Sequence, residues 1–277
     1  MKYLKKVLFI ILYIICAVIC LFIIDYFRLF ISYKIQENHL ISEFDVQGNK
    51  NHYVPQGLAY SDKYNLVLQT SYNGKHDVSM LYITDLSNNY IKKLKLKELD
   101  NTNNLNHVGG IATDNKTVWI TSDYEVNEYL LEDIISTDNN YIQSIKNTKL
   151  PIRGDFCYYK DNYLWIGDFF LNPFYKVPNN NPLLLRYDSN DIDYSNPNLI
   201  ISLPKMVQGM SINDNGEFIF TRSFTPFIHS DLVYYKNILE DKADTYKFNN
   251  KKIPYYRFNN RNKIKNIKLP PMAEGIF

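Results

Sequence analysis

Five short segments of this chain share one pattern: a polar residue, a glycine, then apolar residues at alternate positions. They are Pro55-Gln56-Gly57-Leu58-Ala59-Tyr60, His107-Val108-Gly109-Gly110-Ile111-Ala112, Arg153-Gly154-Asp155-Phe156-Cys157-Tyr158, Val207-Gln208-Gly209-Met210-Ser211-Ile212 and Met272-Ala273-Glu274-Gly275-Ile276-Phe277. Their glycines at 57, 110, 154, 209 and 275 are 53, 44, 55 and 66 positions apart. A unit of this size cannot bury its own apolar face, so it must stack against copies of itself.

The first four segments are each followed by a polar turn and a second apolar segment. The turns are Ser61-Asp62-Lys63, Asp114-Asn115-Lys116, Lys160-Asp161-Asn162 and Asn213–Gly216, all of hairpin composition. The second segments are Asn65–Thr70, Thr117–Ser122, Tyr163–Asp168 and Glu217–Ser223. A third segment ends in an acid in Leu81–Asp85 and Leu184–Asp188, and a fourth alternates with period two in Lys93–Lys97 and Lys263–Lys265. Four antiparallel strands per unit, repeated radially, make a β-propeller. The inner glycines suit it, because inner strands crowd one another around the central channel. An all-β sandwich would account for the strands but not for five similar first strands. Five blades are therefore expected, with no helix after the N-terminal region and with Asn101–Asn106 and Asn179–Pro182 as loops.

Propellers commonly close by borrowing an outer strand from the opposite terminus. Ile41–Val46 resembles the fourth strands and precedes the first inner strand, so it is expected to be the outermost strand of the last blade. The chain stops at Phe277, inside that blade's innermost strand. Inner and outer strands of a four-stranded blade stand about 14 Å apart, too far to pair. The last blade is thus expected to be incomplete, lacking about 25–40 residues of strand and turn.

Upstream of the repeats, Val7 to Ile24 is a charge-free run of 18 residues, preceded by Lys2, Lys5 and Lys6 and followed by Asp25 and Arg28. At about 1.5 Å per residue it matches the hydrocarbon thickness of a bilayer. Positive charge at the short end keeps that end cytoplasmic. A cleavable signal peptide would have a shorter apolar core and a small-x-small exit, whereas Phe22, Ile23, Ile24, Tyr26 and Phe27 are bulky. A lipoprotein site at Cys16 or Cys20 would need a small residue where Ile15 and Ile19 stand. The expected organisation is a stub and transmembrane signal-anchor at 1–30, a linker at 31–40 and the propeller at 41–277, displayed outside the cytoplasm.

Two of the three cysteines lie in the apolar run, which leaves Cys157 without an intrachain partner in the exported part and within an inner strand, where a small buried hydrophobe is expected. The 31 basic and 29 acidic residues give a formal charge of +2, without the footprint of a nucleic-acid binder.

In a propeller, the start of each first strand and the end of each second strand emerge at one face. Gln56, His107, Arg153, Asp155, Gln208 and Glu274 should therefore meet at one mouth of the channel. The ends of the second strands add Ser71 and Tyr72, Asp123 and Tyr124, Asp168 and Phe169, and Arg222 and Phe224, with His76 and His229 on loops beyond. Polar groups converging beside aromatic ones suit a small-molecule, peptide or glycan site. The same residues also serve simply to bond the strand ends and channel water.

Asp123, Asp155, Asp168 and Glu274 offer oxygens to calcium, but Gln56, Gln208 and His107 dilute the set and no calcium-loop motif is present, so no cofactor is expected. No His/Cys pair has zinc spacing, and no Gly-x-Ser-x-Gly elbow or Cys-x-x-Cys occurs. His107 is the candidate general base, with Glu274 and Asp155 as candidate acids.

The Gln-Gly-Leu-Ala-Tyr and Glu-Gly-Ile-Phe strands resemble those of extracytoplasmic bacterial propellers: NHL-type and gluconolactonase-like proteins, and exported five-bladed propellers. The resemblance covers about residues 41–277 and implies a fold rather than a reaction. Gluconolactonase-like proteins carry an inner-strand Glu-Gly and a divalent metal; Glu274-Gly275 matches that dipeptide. Plant-type glutaminyl cyclotransferases are five-bladed and have a Thr-Gln-Gly-Leu strand, which Pro55–Leu58 resembles. Their Glu-Gly-Trp-Gly segment has no counterpart, since Val207-Gln208-Gly209-Met210 lacks the acid and the tryptophan. Three readings stay open: a membrane-tethered ligand binder, a protein-interaction platform, and a hydrolase or cyclotransferase.

Overall fold

Tyr90–Lys97 shows how residue type sets the structure. Leu94 and Leu96 are buried while Lys93 and Lys95 are exposed, as one strand with a core face and a solvent face requires. A computed structural model describes residues 2–37, 46–74, 77–87, 89–177 and 180–277 of the chain. Strands of this kind assemble there into four sheets arranged as a β-propeller.

The first blade is β1 (Val54–Ser61), β2 (Leu66–Asn73), β3 (Asp77–Asp85) and β4 (Tyr90–Lys97), paired antiparallel in sequence order. The second contains β5 (Gly110–Thr113), β6 (Thr117–Ser122) and β7 (Glu125–Leu130). A helix α2 (Leu131–Ser136) and a short strand β8 (Tyr141–Gln143) follow before the fourth strand, β9 (Lys146–Lys149). The third is β10 (Phe156–Lys160), β11 (Tyr163–Gly167), β12 (Leu183–Asp188) and β13 (Leu199–Ser202). The fourth begins with β14 (Val207–Ile212), β15 (Phe218–Arg222) and β16 (Ser230–Tyr235). A hairpin of β17 (Asp244–Phe248) and β18 (Lys251–Arg257) precedes its outer strand, β19 (Lys263–Leu269).

The two insertions follow one rule. Each lies between the third and fourth strands of its own blade and pairs in parallel with the outer strand of the blade before it: β8 with β4, and β18 with β13. Both cover a sheet edge that would otherwise offer unpaired backbone groups. Turn chemistry agrees with the pairing. Asp161 and Asn162, with φ of 53° and 63°, form the two-residue turn between β10 and β11, a left-handed conformation that short polar side chains tolerate.

Apolar faces meet between blades rather than at the axis. Leu68, Leu81, Ile111 and Ile120 belong to the cluster between the first two blades. Leu164, Ile166 and Trp119 belong to the next, and Phe156, Leu184, Met210 and Phe220 to the third. Around the axis the inner strands nearly touch. A Cβ on Gly57 would lie 2.8 Å from the Ile111 nitrogen, so β1 and β5 can approach only because the side chain is absent.

Two expectations need correction. The described chain has four blades, not five: Met272–Phe277 takes a place in the ring between β14 and β1 but forms no strand. Its Gly275 N–H donates to the Gln56 carbonyl at 3.1 Å, yet no ladder partner extends outward from it among the described residues. The proposed closing strand Ile41–Val46 lies outside the described residues except for Val46. Secondly, α2 follows the anchor where no helix was expected. Leu131 and Ile134, three apart, bury one face of it, and six residues are too few for a periodic pattern to stand out.

The N-terminal helix α1 runs Lys2–Glu37 and so continues through residues 31–37 of the expected linker. Its stretch Lys5–Arg28 is 24 residues long, apolar on every side and without buried faces, long enough and apolar enough to cross a membrane. Cys157 is buried in β10, where burial pushes its thiol up to about 12.

Candidate functional site

One mouth of the channel opens into a cavity of about 290 Å³. Each blade and the fifth inner segment contribute to it. Val54 and Gln56 come from β1 and Tyr72 from the end of β2. His107 precedes β5, and Arg153 and Asp155 precede β10. Phe169 and Tyr175 lie on the connection between β11 and β12, Gln208 is on β14, Phe224 follows β15, and Met272 and Glu274 lie on the fifth segment. A Cβ on Gly275 would lie 2.6 Å from the Leu58 nitrogen, so that segment is packed directly against β1 and fixes where Glu274 begins.

Of the residues expected at the mouth, Gln56, Tyr72, His107, Arg153, Asp155, Phe169, Gln208, Phe224 and Glu274 come together in this wall. Five others sit elsewhere, among them Ser71, which is buried in β2. Asp123 and Tyr124 are the exposed tip of the turn between β6 and β7, with Asp123 at φ 46°. Asp168 lies buried, one oxygen accepting the Leu183 N–H at 2.6 Å and the other without a hydrogen-bond partner among the described residues. Arg222 donates to the Lys205 carbonyl at 2.8 Å and faces Asp231 at 3.9 Å. His229 precedes β16 outside the cavity wall, and His76 is outside the described residues.

Charge in the wall is unevenly matched. Arg153 pairs with Asp155 at 3.0 Å and with Asp123 at 3.3 Å. Asp155 also accepts the Phe169 N–H at 2.7 Å. Burial nevertheless pushes the Asp155 carboxyl up to about 6, outweighing the pull of Arg153 and that N–H. Burial alone pushes Glu274 up to about 7, and its carboxylate has no hydrogen bond or ion pair among the described residues. Asp168 is raised well above the usual carboxylate range, by burial first and by Asp155 in addition.

His107 is lowered by burial, with Arg153 adding to that effect and Asp123 opposing it, so its imidazole is neutral at physiological pH. Its ring lies against Tyr72, centroids 4.3 Å apart. Among the described residues, no three His, Cys, Asp or Glu side chains are grouped to hold a metal ion.

The same wall holds an aromatic corner. Phe169 meets Tyr175 edge-on at 5.4 Å and 82°, and Tyr175 meets Phe224 at 6.2 Å and 79°. Phe169 and Phe224 lie nearly parallel, 6.4 Å apart. Sequence reasoning missed Val54, Tyr175 and Met272. The signal for Tyr175 was present in the aromatic run Phe169-Phe170-Leu171-Asn172-Pro173-Phe174-Tyr175, unusually apolar for a connection.

No protein-family model matches the sequence, and no curated protein matches it. Solved structures are similar in shape. The PQQ-bound aldose sugar dehydrogenase of Streptomyces coelicolor aligns over 72% of this chain and 66% of its own, at 15% identity and a TM-score of 0.42. A bifunctional GH43-CE protein of Bacteroides eggerthii aligns over 80% of this chain and 28% of its own, at 8% identity and 0.47. The WD40 domain of Toxoplasma gondii coronin aligns over 73% and 43%, at 7% identity and 0.37. This chain spans less than two thirds of the length of each of the three. The propeller assignment rests on the strand pairing above.

Proposed function

We propose that this chain is a membrane-anchored, extracytoplasmic β-propeller that binds a small molecule, peptide or glycan at its channel mouth. The observation that supports the reading is the cavity of about 290 Å³ in which side chains from all four blades and the fifth segment meet. Carboxamides of Gln56 and Gln208, the Arg153–Asp155 pair and Glu274 supply donors and acceptors. Tyr72, Phe169, Tyr175 and Phe224 supply apolar surface. That combination gives a ligand both affinity and orientation.

Binding is favoured over catalysis because His107 rests against Tyr72 and has no carboxylate hydrogen-bonded to either ring nitrogen among the described residues. An interaction platform is the second reading, favoured by Phe174, Phe227 and Ile228, which expose 72%, 69% and 58% of their surface.

The deciding experiment replaces Gln56, His107 and Gln208 together by alanine in the full chain and screens metabolites, peptides and oligosaccharides. Binding that is lost while the melting transition persists supports the mouth as the site. Binding that survives all three changes points to the exposed loops instead. Protease accessibility of the C-terminal domain on intact cells tests the orientation: cleavage only after lysis would overturn display outside the cytoplasm.

A further inference from the structure

The two acids in the cavity wall are not equivalent. Asp155 is satisfied by the Arg153 guanidinium and the Phe169 N–H. Glu274 has neither a cation nor a donor among the described residues. The local cations are already engaged: Arg153 with two aspartates, and Arg222 with Asp231 and the Lys205 carbonyl. No lysine lines the cavity. The wall therefore carries an excess of negative charge around one uncompensated carboxylate.

In the same cavity wall, the Tyr175 ring stands nearly perpendicular to those of Phe169 and Phe224, at 82° and 79°. Tyr72 stands close enough to Glu274 and Tyr175 for both to raise its phenol after burial, the larger cause. Aromatic rings lining a space that also holds a lone carboxylate attract a weakly hydrated cation. Such a site does not suit an inorganic ion, which needs several oxygen ligands.

We propose that the channel mouth takes an organic ammonium ion, a primary or methylated amine, held by Glu274 against Tyr72, Phe169, Tyr175 and Phe224. This deepens the ligand-binding reading above and rests on it. The Gln56 and Gln208 carboxamides are placed to accept N–H bonds from a primary amine, while a methylated nitrogen uses the ring faces.

The pH behaviour follows from the same geometry. Glu274 titrates near 7 in the empty site, and a bound cation draws it down, so affinity rises as pH increases through that range. The other titratable groups lining the space are Tyr175; Tyr72, whose phenol burial raises so that it stays neutral there; His107, already neutral; and the Arg153–Asp155 pair, where Asp155 ionises near 6.

The test uses the full chain in nanodiscs and three probes: tetramethylammonium, choline, and 3,3-dimethylbutan-1-ol as choline's uncharged isostere. Calorimetry at about pH 8 should show both cations binding and the alcohol at least about tenfold weaker. Glu274→Gln should weaken the cations by at least about tenfold and flatten their pH dependence, while Phe224→Leu should weaken them with that dependence retained. Melting curves establish that each variant is folded.

Equal affinity for alcohol and choline, or unchanged choline affinity in Glu274→Gln, overturns the cation and leaves the mouth as a site. Absence of binding by both cations also overturns it. The mouth reading then stands or falls separately, on whether the Gln56, His107 and Gln208 replacements abolish binding of an uncharged metabolite, peptide or oligosaccharide.

Discussion

The Thr221 hydroxyl donates a 2.6 Å hydrogen bond to the Glu274 carbonyl, tying β15 to the segment that carries the cavity's unpaired acid. Thr70 plays the same part on the other side of the ring. Its hydroxyl accepts the Gly57 N–H at 3.0 Å and donates to the Val108 carbonyl at 3.0 Å, joining the first blade to the approach to the second. Both threonines occupy corresponding places near the ends of second strands.

Replacement by the isosteric valine therefore separates bonding from packing. Thr70→Val orphans two buried backbone groups and should cost about 3 kcal/mol, whereas Thr221→Val orphans one half-buried carbonyl and should cost about 1 kcal/mol. Urea unfolding of the full chain in detergent checks the order. Equal costs would mean that these bonds do not close the ring.

Gly57→Ala places a methyl group against the Ile111 backbone and should destabilise by about 3 kcal/mol. Gly74→Ala is the control, because nothing lies within 4 Å of its would-be Cβ and the change should stay within about 0.5 kcal/mol. Differential scanning fluorimetry of the pair measures inner-strand crowding directly.

Arg153→Met leaves Asp155 buried without its cation and should cost about 3 kcal/mol at neutral pH. The loss should shrink below about pH 5, where Asp155 becomes neutral. Thermal melts of the variant and the parent across that range read both effects.

Glu274 ionises near 7 in the fold against an ordinary value of 4.5. Between those values the folded chain keeps a proton that the unfolded chain releases. Its contribution to stability is therefore largest below about pH 4.5 and declines as pH rises to about 7. Glu274→Gln should remove this part of the decline, seen as a shallower fall in Tm between about pH 5 and about pH 8.

Deleting β17 and β18 and joining residues 243 and 258 through a short Gly-Ser linker should uncover the outer edge of the third blade. Size-exclusion chromatography is expected to show self-association, since β13 would then present unpaired backbone groups. A monodisperse product would show that the hairpin does not protect that edge.

Much of this was legible in the residues. Glycines that recur with polar neighbours mark inner strands, because only a residue without a side chain fits where β1 meets β5. Alternation such as Lys93–Lys97 marks outer strands, because one face must meet a neighbouring blade. An unbroken apolar run marks a helix fit for a membrane, because no face of it is polar. These are local properties, and each is written into a short window. Six polar residues of the cavity wall, with Tyr72, Phe169 and Phe224, followed from the repeat alone.

Tertiary structure decided the remainder. That Met272–Phe277 lies in the ring without forming a blade depends on strand pairing, which no single segment specifies. So does the transfer of β8 and of the β17–β18 hairpin to neighbouring sheets. The repeat placed Asp155 and Glu274 at the same mouth and could not tell their surroundings apart. Their difference arises from distant partners, since Arg153 and the Phe169 N–H reach one carboxylate while neither a cation nor a donor among the described residues reaches the other. Hydrogen bonds and desolvation act across space, and only the folded chain brings those groups within range.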